Sequence, residues 1–150
     1  MKITAKSRYA LRVLLDLAVN GDGGSRTIRE VAESQTISEK FIGRIVVPLR
    51  RAGLLDTERG AGGGLRLARF PDKITLLDIV QATDGPLALL RCLARPGTCS
   101  RQGKCAAETA WRGVNDALVE ALNGVRLSDV VATHTRLAPK APTAEPDYCI

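Results

Sequence analysis

The chain has 150 residues, which suits one compact domain or a small domain with an appendage. Hydrophobic residues make up 45% and charged residues 25%, as in globular proteins and unlike disordered chains. Aromatic residues make up only 3%, which argues against a binder of single-stranded nucleic acid, because such proteins stack bases on aromatic side chains.

Neither a membrane span nor an export signal is expected. No run longer than six residues lacks Asp, Glu, Lys or Arg, whereas a membrane helix needs roughly 20 apolar residues. Arg8, Arg12 and Asp16 interrupt the place where the apolar core of a signal peptide would lie. We therefore expect a cytoplasmic protein with no membrane partner.

The net charge of +6 is carried by the N-terminal half. Residues 1–73 hold 14 Lys and Arg against 8 Asp and Glu, a balance of +6, whereas residues 74–150 hold 8 of each, a balance of zero. This asymmetry favours a half that binds a polyanion, joined to a half with another task.

Three helices are predicted before the first hairpin. Apolar residues recur every three or four positions over 4–19, and a glycine-rich stretch then ends that helix. Thr27 is predicted to cap a short helix over 28–34. Ser38 is a good cap for a third helix that reaches residue 51.

Two short alternating runs follow, at 54–59 and 65–69, and the glycine-rich stretch 60–64 separates them. This pattern predicts a β-hairpin. Three helices followed by a hairpin form a winged helix-turn-helix. The predicted fold is therefore mainly α with a small β-hairpin wing.

The second half is predicted to be helical around one irregular segment. Thr75 and Asp78 form a capping box that opens a helix to about residue 83. Residues 92–105 contain proline and glycine without periodicity, so we expect a structured loop. A long amphipathic helix over 106–123 follows, with four apolar residues on one face: Trp111, Val114, Leu118 and Leu122.

The predicted domain organisation has three parts. Residues 1–73 form the winged helix-turn-helix DNA-binding domain, and residues 74–136 form a sensor loop and a dimerisation helix. Ser128 is expected to cap a final short helix. The proline-rich residues 137–150 are expected to be a disordered tail.

The candidate DNA-contacting residues lie on the second helix of the helix-turn-helix and on the wing. That helix enters the major groove in proteins of this kind, and its N-terminal residues meet the base edges. Its side away from the core, together with its C-terminal end, presents Ser38, Lys40, Gly43, Arg44, Val47, Arg50 and Arg51. Around the glycine-rich wing tip, which admits close approach to the minor groove or phosphates, lie Arg59, Arg66 and Arg69.

Each of these sets has a structural alternative. The helix is otherwise a solvated basic surface, and the glycines otherwise serve only a tight turn. On the first helix, Lys6, Arg8 and Arg12 are equally candidates for phosphate contacts or for plain solvated charges.

Three of the four cysteines fall within 14 residues: Cys92, Cys99 and Cys105. Their spacing suits an open loop around a cluster better than a zinc knuckle, in which two to four residues separate paired ligands. Nearby basic side chains favour thiolates, which bind metal or react with oxidants. An iron–sulfur cluster, a thiol redox switch, a zinc site and inert thiols all stay open at this point. Cys149 is expected to be a spare tail thiol, and His134 a surface residue.

The sequence resembles the regulators of iron–sulfur cluster assembly, the IscR-like family. The resemblance rests on residues 1–10, on 49–54 and on the wing at 59–64, and it extends to about residue 131. It implies a homodimer that pairs through the long helix and binds double-stranded DNA at an imperfect palindromic operator, with Arg59 probing the minor groove. Lys40 and Gly43 depart from the pattern of the family's namesake, which bears on the DNA sequence that is read.

The resemblance also implies an iron–sulfur cluster, [2Fe-2S] or [4Fe-4S], at the three clustered cysteines. Where the family's namesake has a histidine as the fourth ligand, this chain has Glu108, a harder ligand that is expected to make the cluster more labile. The alternative is that Glu108 is an ordinary acid in the first turn of a helix, where the helix dipole favours it.

The function predicted from these observations is that of a DNA-binding transcriptional regulator, expected to be a repressor, which senses iron–sulfur status, redox or nitric oxide through the cluster. A metal-free thiol-switch regulator is one alternative, and a small iron–sulfur electron carrier is another. No acid–base pair, nucleophile constellation or phosphate loop supports an enzyme.

Overall fold

The computed structural model describes residues 3–21, 24–58, 60 and 63–137. Within these residues the fold is mainly α with one two-stranded antiparallel hairpin, as predicted. The elements in chain order are α1 (Ala5–Asn20), α2 (Ile28–Gln35), α3 (Glu39–Arg51), β1 (Leu55–Thr57), β2 (Leu65–Leu67), a 3₁₀ turn (Pro71–Lys73), α4 (Leu76–Asp84), α5 (Arg91–Ala94), α6 (Ala106–Gly124) and α7 (Leu127–Leu137).

Side-chain caps explain where most of the helices begin. The hydroxyl groups of Thr4, Thr27, Ser38 and Thr75 each accept a backbone N–H from the first turn of the helix that follows. The caps at Thr27 and Thr75 are reciprocal, because the acid at the third helical position accepts the N–H of the capping residue. The capping box predicted at Thr75 is thereby confirmed.

α3 ends where the backbone reverses at Gly53. Gly53 has φ 65°, and its N–H donates to the Arg50 carbonyl, while the N–H of Leu54 donates to the Leu49 carbonyl. This pair of bonds is the Schellman arrangement, which favours glycine at the left-handed position. It turns the chain from α3 directly into the hairpin.

The main core surrounds α1, which packs against α2, α3, α4, α7 and β2. Apolar side chains from each of these elements are less than a tenth exposed, among them Leu14, Val31, Ile42, Leu65, Ile79 and Leu127. The core therefore continues past residue 73, because Ile74, Ile79 and Leu127 belong to it. A second, smaller cluster of Val80, Leu87 and Leu122 joins α4 to α6.

The hairpin places β1 opposite β2 with Leu55 facing Leu67 and Thr57 facing Leu65. Its strands are shorter than the runs predicted at 54–59 and 65–69. Arg26 forms an isolated antiparallel bridge with Leu65, so the chain before α2 adds a third partner at the end of the hairpin next to its loop. The hairpin is therefore connected to the helix-turn-helix from both sides.

Two local predictions are wrong. Residues 91–94, including Cys92, form the single helical turn α5 instead of loop, and one turn is too short to carry a periodic signal. Ser128 does not cap the last helix, because α7 begins at Leu127 and the Asp129 carboxylate accepts the N–H of Arg126, 2.9 Å away. The tail predicted from residue 137 lies outside the described residues from 138 onward. Within the part of the chain that the structure describes, no helix is long and apolar enough to cross a membrane.

Candidate nucleic-acid interface and cysteine segment

The outer face of α3 is exposed over its whole length. Ser38, Lys40, Arg44, Val47 and Arg51 lie on the solvent side, opposite the buried residues of the same helix. Ser38 caps the helix through a 3.3 Å hydrogen bond from the N–H of Phe41. A Cβ atom added at Gly43 would meet nothing within 4 Å, so this part of the face is open. The arrangement matches the requirement for a helix that enters the major groove.

Arg50 has a different position from the other predicted contacts of α3. Its guanidinium donates to the hydroxyl group of Thr57 on β1, at 3.2 Å. This bond connects the end of the helix to the wing, although Arg50 remains exposed. Arg50 therefore has a structural partner that sequence reasoning did not predict.

The wing arginines are also engaged within the protein. Arg66 on β2 lies 3.0 Å from the Glu58 carboxylate and 3.6 Å from that of Asp56, and its side chain is half exposed. The guanidinium of Arg69 donates to the Ala52 carbonyl at 3.0 Å. Arg59, the residue predicted to reach the minor groove, lies outside the described residues. A phosphate contact by Arg66 would have to compete with two acids of its own hairpin.

The basic residues of α1 divide into two groups. Lys6 and Arg8 are exposed, whereas Arg12 is half-buried and its guanidinium donates to the side chain and carbonyl of Gln35. Arg8 and Arg12 also lie over the ring of Tyr9, with their guanidinium carbons 4.9 and 5.6 Å from its centroid. Arg12 thus holds α1 against α2, and Lys6 and Arg8 remain the candidates for phosphate contacts on this helix.

The three clustered cysteines lie between α4 and α6, on residues 85–105, which we call the cysteine segment. This segment is accessible. Cys92 lies in α5 and is half-buried, Cys99 is exposed, and Cys105 is half-buried at the position that caps α6. Gly97 and Gly103 adopt φ 86° and 78°, conformations that favour glycine. Over the residues that the structure describes, no three Cys, His, Asp or Glu side chains converge on a metal-binding geometry. Cys149 lies outside those residues, and His134 is exposed, as predicted.

Glu108 is buried at the start of α6, with only 7% of its surface exposed. Its carboxylate accepts the N–H of Gly103, 3.1 Å away, and forms an ion pair with Arg112 one turn further along the helix. The Gly103 N–H and then the Arg112 guanidinium hold the pKa of Glu108 below its ordinary value, against the opposing effect of burial. Glu108 therefore contacts the cysteine segment, and Arg112 is a partner that its i, i+4 spacing makes visible in the sequence.

The donor set fits an iron–sulfur cluster in its chemistry. Three thiols lie on one continuous, accessible segment, and a carboxylate contacts that segment from α6. Thiolates are the usual ligands of such clusters. Gathering the three thiols around one group would require the segment to close, and Glu108 would have to exchange its present partners for the metal.

The apolar face of α6 is only partly covered by the chain itself. Leu122 is buried against α4, and Leu118 is half-buried, whereas Trp111 is 47% and Val114 is 54% exposed. Large apolar residues that lie together on a surface are typical of a contact with another protein.

The chain forms a winged helix-turn-helix in which α3 is capped and has an exposed, basic outer face. These features define a DNA-binding transcriptional regulator. The chain belongs to the Rrf2 family, whose description is "Iron-dependent Transcriptional regulator" and whose sequence profile matches residues 3–133. The family assignment confirms that the protein is a regulator and not an enzyme. It also excludes the alternative that the protein is a small electron carrier.

Three similar proteins place the chain within this family. It is 37% identical over 138 residues to Protein aau3 of Rhizobium meliloti, covering 91% of this chain and 89% of that one. It is 31% identical over 157 residues to the HTH-type transcriptional regulator IscR of Salmonella agona, covering 98% and 95%. The structure of CymR, the global cysteine regulator of B. subtilis, superposes with a TM-score of 0.72 at 31% identity, covering 89% of this chain and 98% of CymR.

Proposed function

We propose that this regulator senses iron–sulfur status, redox or nitric oxide through an iron–sulfur cluster, and that it acts as a repressor. Cys92, Cys99 and Cys105 would hold the cluster, with Glu108 as the fourth ligand. The observation that carries the proposal is the position of three accessible thiols on one segment that Glu108 connects to α6. The similarity to IscR and the family description support it.

The bound cluster would supply a centre that reacts with oxidants and nitric oxide. The chain's own residues connect the segment to the DNA-binding elements. The N–H of Leu89 donates to the Asn115 side chain on α6, at 3.0 Å. On the other side, Asp84 at the end of α4 accepts bonds from Thr4 and Ser7 of α1. A change in the shape of the segment can therefore reach both α6 and the helix at the centre of the core.

The remaining parts of the proposal concern DNA and assembly. The face of α3 would read bases in the major groove through Ser38, Lys40 and Arg44, while Arg50, Arg51, Arg59 and Arg66 would contact the backbone or minor groove. The exposed apolar face of α6 would pair two protomers, and a two-fold dimer binds two half-sites of an imperfect palindrome. Coupling between the segment and the operator is expected to be about 1–3 kcal/mol.

Anaerobic purification tests the cluster directly. We expect a coloured protein whose visible absorption accompanies stoichiometric iron and acid-labile sulfide, and we expect Cys92→Ala to remove the colour while leaving a folded dimer. Colourless, iron-free protein from anaerobic, iron-replete cells would end the cluster proposal. A monomeric Cys92→Ala protein would instead show that the segment contributes to the dimer contact.

The role of Glu108 has a separate test, in which Glu108→Gln is compared with Glu120→Gln, an exposed acid on the same helix. If Glu108 is a ligand, its replacement shortens the lifetime of the visible chromophore in air, and the control does not. An unchanged lifetime removes Glu108 from the ligand set without affecting the cysteines.

A metal-free thiol switch is the second candidate. Over the described residues, the thiols are accessible but are not gathered around a common point. In this case the protein is colourless when purified anaerobically. Mild oxidation then links two of the three thiols and changes DNA affinity, which mass spectrometry and a DNA titration would detect together.

A further inference from the structure

The wing is joined to the segment before α2 through backbone hydrogen bonds, at the point where its loop enters β2. The N–H of Arg26 donates to the Leu65 carbonyl at 2.8 Å, and the N–H of Leu65 donates to the Arg26 carbonyl at 2.7 Å. Gly64 makes this approach possible. A Cβ atom at that position would lie 2.7 Å from the Arg26 carbonyl oxygen, closer than side chains approach backbone.

The side chain of Arg26 anchors the same joint to the core of the helix-turn-helix. Its guanidinium lies 2.9 Å from Oδ2 of Asp16 on α1, whose side chain is fully buried, while that of Arg26 is 17% exposed. The other carboxylate oxygen, Oδ1, accepts hydrogen bonds from Ser34 at 2.5 Å and from Gln35 at 3.1 Å, both on α2. One buried acid therefore connects α1, α2 and the residue that pairs with the wing.

A buried ion pair adds little net stability to a fold. Removing two charges from water costs several kcal/mol per ion, and well-packed apolar residues of similar volume often do as well or better. What such a pair supplies is a fixed position, because the buried Oδ2 of Asp16 accepts no hydrogen bond within the described residues and the charge of the Arg26 guanidinium beside it compensates its burial. The position of Asp16 within the apolar stripe of α1 is the signal in the sequence that indicates this role.

We infer that Asp16 and Arg26 are positioning residues for DNA binding, which hold the wing at a set distance from α3. The pair fixes the Arg26 backbone, and the Arg26 backbone fixes Leu65, the first residue of β2 after the wing loop. The inference rests on the proposed contact between the wing and DNA. Without the pair, the wing is present but is not held where its arginines meet the duplex, so these arginines stop contributing to affinity.

The test removes the pair without leaving a buried charge. The double variant Asp16→Asn/Arg26→Met keeps an acceptor for Ser34 and leaves the net charge unchanged. The matched control is Arg29→Met/Glu33→Gln, which removes an ion pair of the same length from the exposed surface of α2. The third arm is the wing variant Arg59→Ala, made in the wild type and in both backgrounds.

Affinity is measured on a 30-base-pair duplex that the wild-type protein selects from a random library. We expect Arg59→Ala to weaken binding roughly tenfold in the wild type and in the control, and less than twofold in the buried-pair variant. A tenfold loss in all three backgrounds overturns the inference, because a purely structural pair would lower every affinity without changing the contribution of Arg59.

Hydrogen exchange gives a second readout that needs no DNA. The amide of Leu65 should exchange at least tenfold faster in the buried-pair variant and at the wild-type rate in the control, and unchanged protection overturns the inference. If Arg59→Ala has no effect in the wild type, the proposed wing contact fails and the exchange result alone decides. If the buried-pair variant does not fold, Gly64→Ala separates Leu65 from Arg26 instead, and the same outcomes apply.

Discussion

The helix-turn-helix and the region from the cysteine segment to α6 differ in how completely one chain buries their apolar residues. α1, α2 and α3 direct their apolar stripes into one core, in which Leu14 and Ile42 are fully buried. From residue 86 to 124, by contrast, only Leu87, Leu122 and Glu108 are less than a tenth exposed. Within the described residues, the first region buries its apolar stripes, and the second leaves part of its apolar surface exposed.

The difference extends to polar groups. In the helix-turn-helix the buried carboxylate of Asp16 has four partners from three parts of the chain. In the second region Cys99, Trp111 and Val114 are exposed, and Cys92 and Cys105 are only half-buried. A region that leaves reactive and apolar groups exposed is suited to bind something else, and a region that satisfies its own groups is suited to stay rigid.

The largest effect on stability is expected from a core substitution in α3. Ile42→Ala removes a fully buried side chain and should lower the free energy of unfolding by about 2–5 kcal/mol in urea denaturation. Val47→Ala, on the exposed face of the same helix, should change it by less than about 0.5 kcal/mol. Equal effects at the two positions would contradict the closed core described for this region.

A charge on the apolar face of α6 should act on assembly instead of folding. Val114→Asp is expected to weaken the proposed dimer on the order of 100-fold, because the carboxylate would be buried between protomers without a partner. Sedimentation measures the dissociation, and thermal unfolding checks the fold. Thr109→Asp adds the same charge about 160° around the helix from Trp111, at 100° per residue, and should leave the dimer intact. An unaffected dimer in both variants would exclude this face as the interface.

The sequence predicts α1–α4 from signals between residues that are close together in the chain. It does not predict contacts between residues that are far apart in the chain. Caps at Thr27, Ser38 and Thr75 involve residues three positions apart, so the sequence displays them directly. The apolar stripe of α1 indicates that Asp16 is buried but not that Arg26 is its partner, and no periodic pattern indicates the bond from Arg50 to Thr57. The cysteine spacing identifies the donors but not their arrangement, because that depends on the path of a segment without regular structure.

The wing should matter for DNA in a way that the first helix does not. Arg59→Ala is expected to cost roughly 1–3 kcal/mol in binding to a selected duplex, because a minor-groove contact depends on DNA shape. Lys6→Ala should weaken binding to all duplexes alike. It should also lower the slope of log affinity against log salt concentration by the amount expected for about one phosphate contact. Titrations at several salt concentrations separate the two. If Arg59→Ala alters only the salt slope, the wing contacts phosphates and does not read the groove.

The smallest effect is expected at the contact between α1 and the end of α4. Burial acts to raise the pKa of Asp84, but the hydrogen bonds from Ser7 and Thr4 outweigh it and leave the pKa below its ordinary value. Asp84→Asn should therefore lower the free energy of unfolding by about 1 kcal/mol at pH 7. Because the folded-state pKa is the lower one, this difference should stay constant down to about pH 4, near the unfolded value, and disappear as the pH falls through the folded value. Urea denaturation of both proteins between pH 7 and pH 3 measures it, with the exposed Asp116→Asn as the control. If the difference in the free energy of unfolding grew on acidification, the ionised carboxylate would oppose the contact between α1 and the end of α4. The apolar packing of α4 alone would then join the two regions.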